Sequence, residues 1–285
     1  MKTSDIRLQF REILEGKNCI HPGSVFDPIS ARIAEDLGFK AGMLAGSIAS
    51  ATVLGAPDYI VLTLTELSDQ IRRICRASNL PLLIDADHGY GNALNAKRTI
   101  EELENAGASA VTIEDTLLPR TYKEQSVGMI SIDEGIGKIK ASIAGRTDSS
   151  MVVAARTSAF QLSNSKDAIE RGKAYEQAGA DAIFFTGIEK KEQLELITNS
   201  IKIPIMLGPV SKQLNDLNYL SSMGVRIVLQ GHLPFMAAIK AVYDTLKSLQ
   251  NGTDPETIKQ QLSLADILDK SIRKQDYDRS ISAFL

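Results

Sequence analysis

The sequence predicts an α/β protein, a (β/α)8 barrel of the TIM type with an additional C-terminal helical segment. Three observations carry this. Eight short apolar runs of strand length punctuate the chain, and amphipathic stretches of helix length separate them. Glycines repeatedly mark the point where a helix stops and the next buried strand begins. The 285 residues exceed the roughly 250 of such a barrel by one segment. The expected organisation is a barrel over 1–250 and a helical extension over 251–285, packed on its own or a partner barrel.

Taken in order, the strand-like runs are 20–26, 41–45, 81–86, 110–114, 151–156, 182–186, 203–207 and 225–230. They are mainly apolar, as strands buried on both faces are. Helical patterns lie near 28–37, 65–78, 93–106, 131–144, 165–178, 189–198, 211–222 and 234–249. Ser131, with Glu134 three residues on, and Ser165 are expected to cap their helices. The stretch Glu104-Asn105-Ala106-Gly107-Ala108-Ser109-Ala110-Val111 is echoed by Glu176-Gln177-Ala178-Gly179-Ala180-Asp181-Ala182-Ile183. Leu37-Gly38 and Met223-Gly224 repeat the same stop. A doubly wound open sheet fits less well, because the first strand-to-helix turn, Phe26-Asp27-Pro28, lacks the glycines that cradle a dinucleotide. Gly135-Ile136-Gly137-Lys138 lies inside a helical pattern and is not a phosphate loop. Beyond 250, residues 255–268 form a further amphipathic stretch, and its apolar face needs a partner, either the outer helices of its own barrel or a neighbouring subunit, so a homo-oligomer is expected.

Composition narrows the function classes. With 44% hydrophobic and 24% charged residues, a net charge of −3 and no basic block, the chain reads as a globular enzyme with no nucleic-acid partner. No apolar run approaches the roughly 18 residues of a membrane span, and the N-terminus leads into an amphipathic helix without a signal-peptide core. Two cysteines, Cys19 and Cys75, suit a reducing cytoplasm and form no disulfide framework.

The chemistry gathers at the C-terminal ends of the strands, where barrels bind ligands. The most informative stretch is Asp85-Ala86-Asp87-His88-Gly89-Tyr90-Gly91, an apolar strand that ends in two carboxylates. These share a face if the strand extends that far. Their repulsion calls for a positive neighbour, most simply a hard divalent cation. The same rim receives Asp27; Gly46, Ser47 and Ser50; Asp58; Glu114 and Asp115; Arg156 and Thr157; Gly187; Gly208; and Gly231 with His232. Some of these have plain structural roles available. A single aspartate can cap a helix, Asp115 suits a cap or a salt bridge, Arg156 can neutralise Glu114, and His21 is expected to be structural. The glycine beside Ser47 lets backbone amides approach an anion. An all-oxygen ligand set favours Mg2+, with Mn2+ as its substitute, over Zn2+.

Together, Asp85-Ala86-Asp87-His88-Gly89-Tyr90-Gly91, Gly46-Ser47, Ile113-Glu114-Asp115 and Ala155-Arg156-Thr157 resemble the isocitrate lyase / phosphoenolpyruvate mutase superfamily, along nearly the whole chain. The resemblance implies a barrel whose C-terminal helix swaps between subunits, a tetramer built as a dimer of dimers, and a 2-oxo acid substrate chelating Mg2+. It implies direct metal binding by Asp85, with Asp58, Asp87 and Glu114 acting mainly through water. Gly46, Ser47, Arg156 and His232 are the implied substrate contacts, and Arg156 and His232 the catalytic ones. The lyases of this group carry a Lys-x-Cys-Gly loop after the fourth strand, and its phosphonate-processing members a loop asparagine. The 117–130 loop has neither cysteine nor asparagine. What remains is similar to the oxaloacetate decarboxylase branch, whose histidine after the eighth strand is matched by His232. The resemblance thus implies decarboxylation of oxaloacetate to pyruvate. The alternatives are hydrolysis or C–C cleavage of a related diacid, in the manner of an oxaloacetate acetylhydrolase or a methylisocitrate lyase, and a non-catalytic 2-oxo acid binding protein.

Overall fold

The computed structural model describes residues 2–124, 126–262 and 265–285. They form two compact units, Met1–Gly231 and His232–Leu285.

The first unit opens with α1 (Thr3–Glu15) and contains a parallel sheet of β1 (Gly23–Ser24), β2 (Gly42–Leu44), β3 (Leu82–Asp85), β4 (Ala110–Glu114), β5 (Val152–Thr157), β6 (Ala182–Phe185), β7 (Ile205–Leu207) and β8 (Val225–Val228). Each strand pairs with the next in the chain. A parallel bridge between Ile20 and Ile227 joins the outer edges and closes the barrel. There the Ile20 N–H donates to Arg226 O at 2.9 Å, and the Val228 N–H to Ile20 O at 3.0 Å. The first strand is far shorter than its apolar run. Pro22 has no N–H to give to a ladder, and His21 uses its Nδ1 on the Val228 carbonyl at 2.8 Å, the structural role expected of it.

The connections are α2 (Pro28–Asp36), α3 (Gly46–Leu54), α4 (Leu64–Ala77), α5 (Ala93–Ala106), α6 (Ile132–Gly145), α7 (Ala159–Leu162), α8 (Ser165–Gln177), α9 (Lys191–Ser200) and α10 (Leu217–Ser222). Neither α3 nor the single turn of α7 is marked by an amphipathic pattern. Asp27, one of the rim acids, is the cap of α2, accepting from the Ser30 N–H at 2.7 Å. Ser131 caps α6 as expected. The cap of α8 is Asn164, whose side chain accepts from the Asp167 N–H, because Ser165 is already inside the helix. Gly107 and Gly179 end α5 and α8 with φ of 105° and 97°, which explains the repeated sequence around them. Gly135 serves packing, since a Cβ there would lie 2.5 Å from the Tyr175 hydroxyl. That hydroxyl donates to Asp115 at 2.7 Å, and Arg171 pairs with the same carboxylate at 3.1 Å. Asp115 is thereby committed to a salt bridge.

At the N-terminal end of the barrel, buried Arg7 ties α1 to the helix-to-strand turns. It donates to Ala108 O, Glu104 O and Asp148 Oδ2 at 3.0, 2.6 and 2.8 Å. The Glu104 carboxylate in turn accepts from the Thr147 and Asp148 amides, and Arg11 bridges to Asp181. Burial opposes the charge of Asp148, but hydrogen bonds from Ser150 and Arg7 outweigh it and hold this carboxyl far below the usual range. Its stabilisation is therefore present above the ordinary carboxylate pKa and is lost as the pH falls towards the depressed one.

The second unit comprises α11 (Leu233–Gln250), α12 (Pro255–Leu262), α13 (Ala265–Ser271) and α14 (Lys274–Phe284). The boundary drawn from sequence at 250 coincides with the end of α11, inside this unit. No residue of α11 is buried. Its apolar positions run as a stripe, with Met236 and Leu246 each 61% exposed and Ile239 50%. Among the described residues no helix is long and apolar enough to cross a membrane.

Replacing Arg7 by alanine leaves Asp148 and two carbonyls without their donor. It is expected to cost about 3 kcal/mol or more, read as a lowered urea midpoint at unchanged m-value. A loss below about 1 kcal/mol would mark the network as unimportant.

Candidate active site

Parallel register sets the centre of the site. Glu114 of β4 pairs with Arg156 of β5, and Arg156 with Phe184 of β6. Asp85, the last residue of β3, pairs with Thr112, whose row continues into Ala154 and Ala182. Small side chains thus flank Asp85 and leave room, while the next row supplies charge. Arg156 Nη1 contacts Asp85 Oδ2 at 2.5 Å, and its Nε lies 3.1 Å from Glu114 Oε2. Its Cζ sits 5.6 Å from the Phe184 ring centroid, a cation–π distance. Burial opposes this charge, and the carboxylates of Asp85 and Glu114 overcome it, so the guanidinium stays protonated. The positive neighbour required by the paired aspartates is, in the protein itself, Arg156.

Asp87 reaches the site differently from the expected shared strand face. β3 ends at Asp85, and Asp87 takes a left-handed backbone with φ 48°, followed by Gly89 and Tyr90 at 77° and 61°. The turn is fixed by the Asp87 N–H donating to Asp85 Oδ1 at 3.3 Å and by the Glu114 N–H donating to Asp87 O at 2.8 Å. Gly46, at the start of α3, abuts the Asp87 carboxylate so closely that a Cβ would lie 2.6 Å from Oδ1. Asp58 is placed by the far end of α3, where buried Ser50 donates to the carbonyls of Ala56 and Pro57 at 3.2 and 3.1 Å.

Asp58, Asp85, Asp87, Glu114 and Arg156 line one cavity of about 580 Å³ at the C-terminal ends of the strands. Sequence reasoning did not foresee the rest of its wall: Tyr59, Ile60, Thr116, Leu118, Pro119, Arg120, Val127, Ser158, Gln161 and Leu162. The loop residues there had no periodic signal to betray them. Phe184 was readable only through register. Ser47 follows Gly46 in α3 and is half-buried, and it is not part of this wall. His232 is the first residue of the second unit and precedes α11. His88 is buried, with no partner for Nδ1 among the described residues. Burial and the neighbouring Lys138 push its pKa down to about 4, so the ring is neutral at pH 7. A larger hollow of about 750 Å³ lies at the opposite end, between α1 and the helix-to-strand turns, and lacks a comparable convergence of acids.

The carboxyls of Asp58, Asp87 and Glu114 are all raised, by burial foremost. Repulsion from Asp85 adds to the rise in each. Among the described residues no three acidic, histidine or cysteine side chains form a ready-made metal cage. The cluster nevertheless fits a hard divalent cation, for two reasons. Its donors are all oxygen, and it holds more negative charge than Arg156 offsets. Mg2+ ordinarily keeps several waters and needs few direct protein ligands.

The phosphoenolpyruvate phosphomutase family model matches residues 10–250. The chain belongs to that family. An oxaloacetate decarboxylase of Bradyrhizobium diazoefficiens is 51% identical over 270 residues, spanning 95% of this chain and 93% of that protein. One of Rhodopseudomonas palustris strain HaA2 is 48% identical over 285 residues, spanning 100% and 98%. Among solved structures, a phosphonopyruvate hydrolase complexed with oxalate and Mg2+ superposes with a TM-score of 0.87 at 28% identity, covering 100% of this chain and 99% of that one. An oxaloacetate acetylhydrolase bound to 3,3-difluorooxalacetate gives 0.85 at 26%, covering 98% and 97%. The closed sheet matches the fold of these neighbours, of which the phosphonopyruvate hydrolase complex holds Mg2+.

Replacing Gly46 by alanine is expected to displace the Asp87 carboxylate. A misplacement of about 1 Å costs on the order of 10²-fold in rate, measured as kcat/KM at saturating Mg2+. Activity within about threefold of the parent would show that Asp87 has room to move without consequence.

Proposed function

We propose that this protein decarboxylates oxaloacetate to pyruvate and CO2 with Mg2+ bound among its carboxylates. The observation that carries this is near-full-length identity of about one half to oxaloacetate decarboxylases, on a chain whose acid cluster and Arg156 share one cavity. Asp85 is assigned as the direct metal ligand, and Asp58, Asp87 and Glu114 as acceptors for the metal's waters. When bound, Mg2+ supplies a Lewis acid that draws electron density from the 2-oxo group. Mn2+ is the natural substitute for it. Arg156, held by Asp85, Glu114 and Phe184, is assigned to the oxygen that gains charge as the C3–C4 bond breaks. The bond's electrons pass to the enolate of pyruvate, CO2 leaves, and a proton from solvent completes C3. Ser47 and Gly46 are assigned to the substrate's carboxylate end, and His232 to binding or orienting the substrate. Crowding of Asp58, Asp87 and Glu114 with Asp85 in one cavity, where repulsion raises their carboxyls, supports the metal assignment. The free thiols Cys19 and Cys75 support a cytoplasmic setting.

Purified protein with oxaloacetate and Mg2+ is expected to release pyruvate well above the Mg2+-only rate. Asp85→Ala should abolish the excess, and Arg156→Ala should lower kcat by about 10²–10³-fold. Acetate and oxalate in place of pyruvate would mean hydrolysis. No turnover of any C4 or C5 oxo diacid would leave a binding protein.

We further propose that copies of this chain assemble as a dimer of dimers by exchanging C-terminal helices. The unburied apolar stripe of α11 supports this, since contiguous exposed patches of that kind mark interfaces. Light scattering should give about four chain masses, and Ile239→Asp with Leu246→Asp should reduce it. A monomer in the parent protein would refute the assembly.

A further inference from the structure

The cavity wall holds two cations, Arg156 and Arg120, in unequal circumstances. Arg156 is ion-paired with Asp85 and Glu114 and rests on the Phe184 face. Arg120 is exposed and has no acidic partner among the described residues. It belongs to a loop whose two ends are tied together. The Leu117 N–H donates to Gly128 O at 2.9 Å, the Ile130 N–H to Asp115 O at 3.0 Å, and Thr116 bridges to Met129. This base fixes where the loop leaves β4, and both of its arms contribute to the cavity wall. The same wall includes the apolar residues Leu118, Pro119, Val127 and Leu162. An anionic group entering such surroundings loses water and requires a compensating donor. At the strand ends the same cavity is crowded with acids and suits the metal-chelating, 2-oxo-carboxylate end of a substrate. A second carboxylate on that substrate is repelled by those acids, and Arg120 is the cation left to receive it.

We propose that Arg120 receives the distal carboxylate of the substrate and so selects 2-oxo diacids over 2-oxo monoacids. This rests on the 2-oxo acid function proposed above and names a determinant that function does not include. The guanidinium fork matches a carboxylate in two parallel hydrogen bonds. In a decarboxylation the distal group loses its charge as CO2 departs. A cation bound to it therefore stabilises the bound substrate more than the transition state. Arg120 contributes to affinity and selectivity, not to kcat, and this sets its signature apart from that of a residue holding the loop in shape.

The test compares Arg120→Ala and Arg120→Lys with the parent protein at saturating Mg2+. It measures the KM and kcat for oxaloacetate and the inhibition constant of oxalate, which has the chelating end but no distal arm. Loss of a charge-assisted contact should raise the oxaloacetate KM about tenfold or more in Arg120→Ala, with kcat unchanged or higher. Oxalate inhibition should stay within about twofold, and lysine should restore part of the affinity. An unchanged KM, a fall in kcat alone, or equal weakening of oxalate and oxaloacetate would overturn the proposal. If the parent protein does not turn over oxaloacetate, the functional proposal fails on its own. Calorimetric titration of oxaloacetate and oxalate into the Mg2+-loaded parent and Arg120→Ala then decides the Arg120 assignment by the same contrast.

Discussion

A single guanidinium makes the rest of the site physically permissible. Four carboxyl groups line one cavity at the ends of β3 and β4 and in the segments beside them. Without a counter-charge they would protonate or force the strand ends apart. Arg156 contacts two of them and is itself held against Phe184. This arrangement follows directly from the pairing of Glu114, Arg156 and Phe184 across three neighbouring strands. The barrel's register and the site's charge balance are therefore one constraint, and a slip of one residue in β5 would lose both.

The acids remain under-compensated even so, because burial and mutual repulsion raise three of their carboxyls. A protein that keeps such tension in a cavity is prepared for a bound cation. The rigid parts surrounding it serve that end. Ser50 pins the segment that carries Asp58, Gly46 gives Asp87 its space, and the tight turn after β3 presents the second carboxylate.

Much of this was legible in the sequence, for identifiable reasons. The parallel strands are buried on both faces and so read as mainly apolar runs. Glycine stops such as Gly107 and Gly179 signal left-handed caps that few other residues adopt. The acid–arginine set was visible because it stands at strand ends, where the barrel fold collects ligands. What escaped depended on information the local pattern does not hold. The first strand shrank because Pro22 and His21 interrupt its ladder. The Asp87 turn is set by hydrogen bonds to Asp85 and Glu114 that lie outside any local pattern. The outer wall of the cavity comes from a loop without periodicity, whose position is fixed by the contacts at its base.

That base has an evolutionary consequence. The Thr116–Met129 bridge and the flanking Leu117–Gly128 and Ile130–Asp115 hydrogen bonds close the loop off from the barrel at its base. Residues 118–127 can therefore change in sequence while Glu114 and the start of α6 keep their positions. The barrel acts as a chassis that carries the acid cluster and Arg156, and the loop is an interchangeable cassette. Related proteins with different reactions on one scaffold are the expected product of such a division, because a new chemistry needs only a new cassette and no new core.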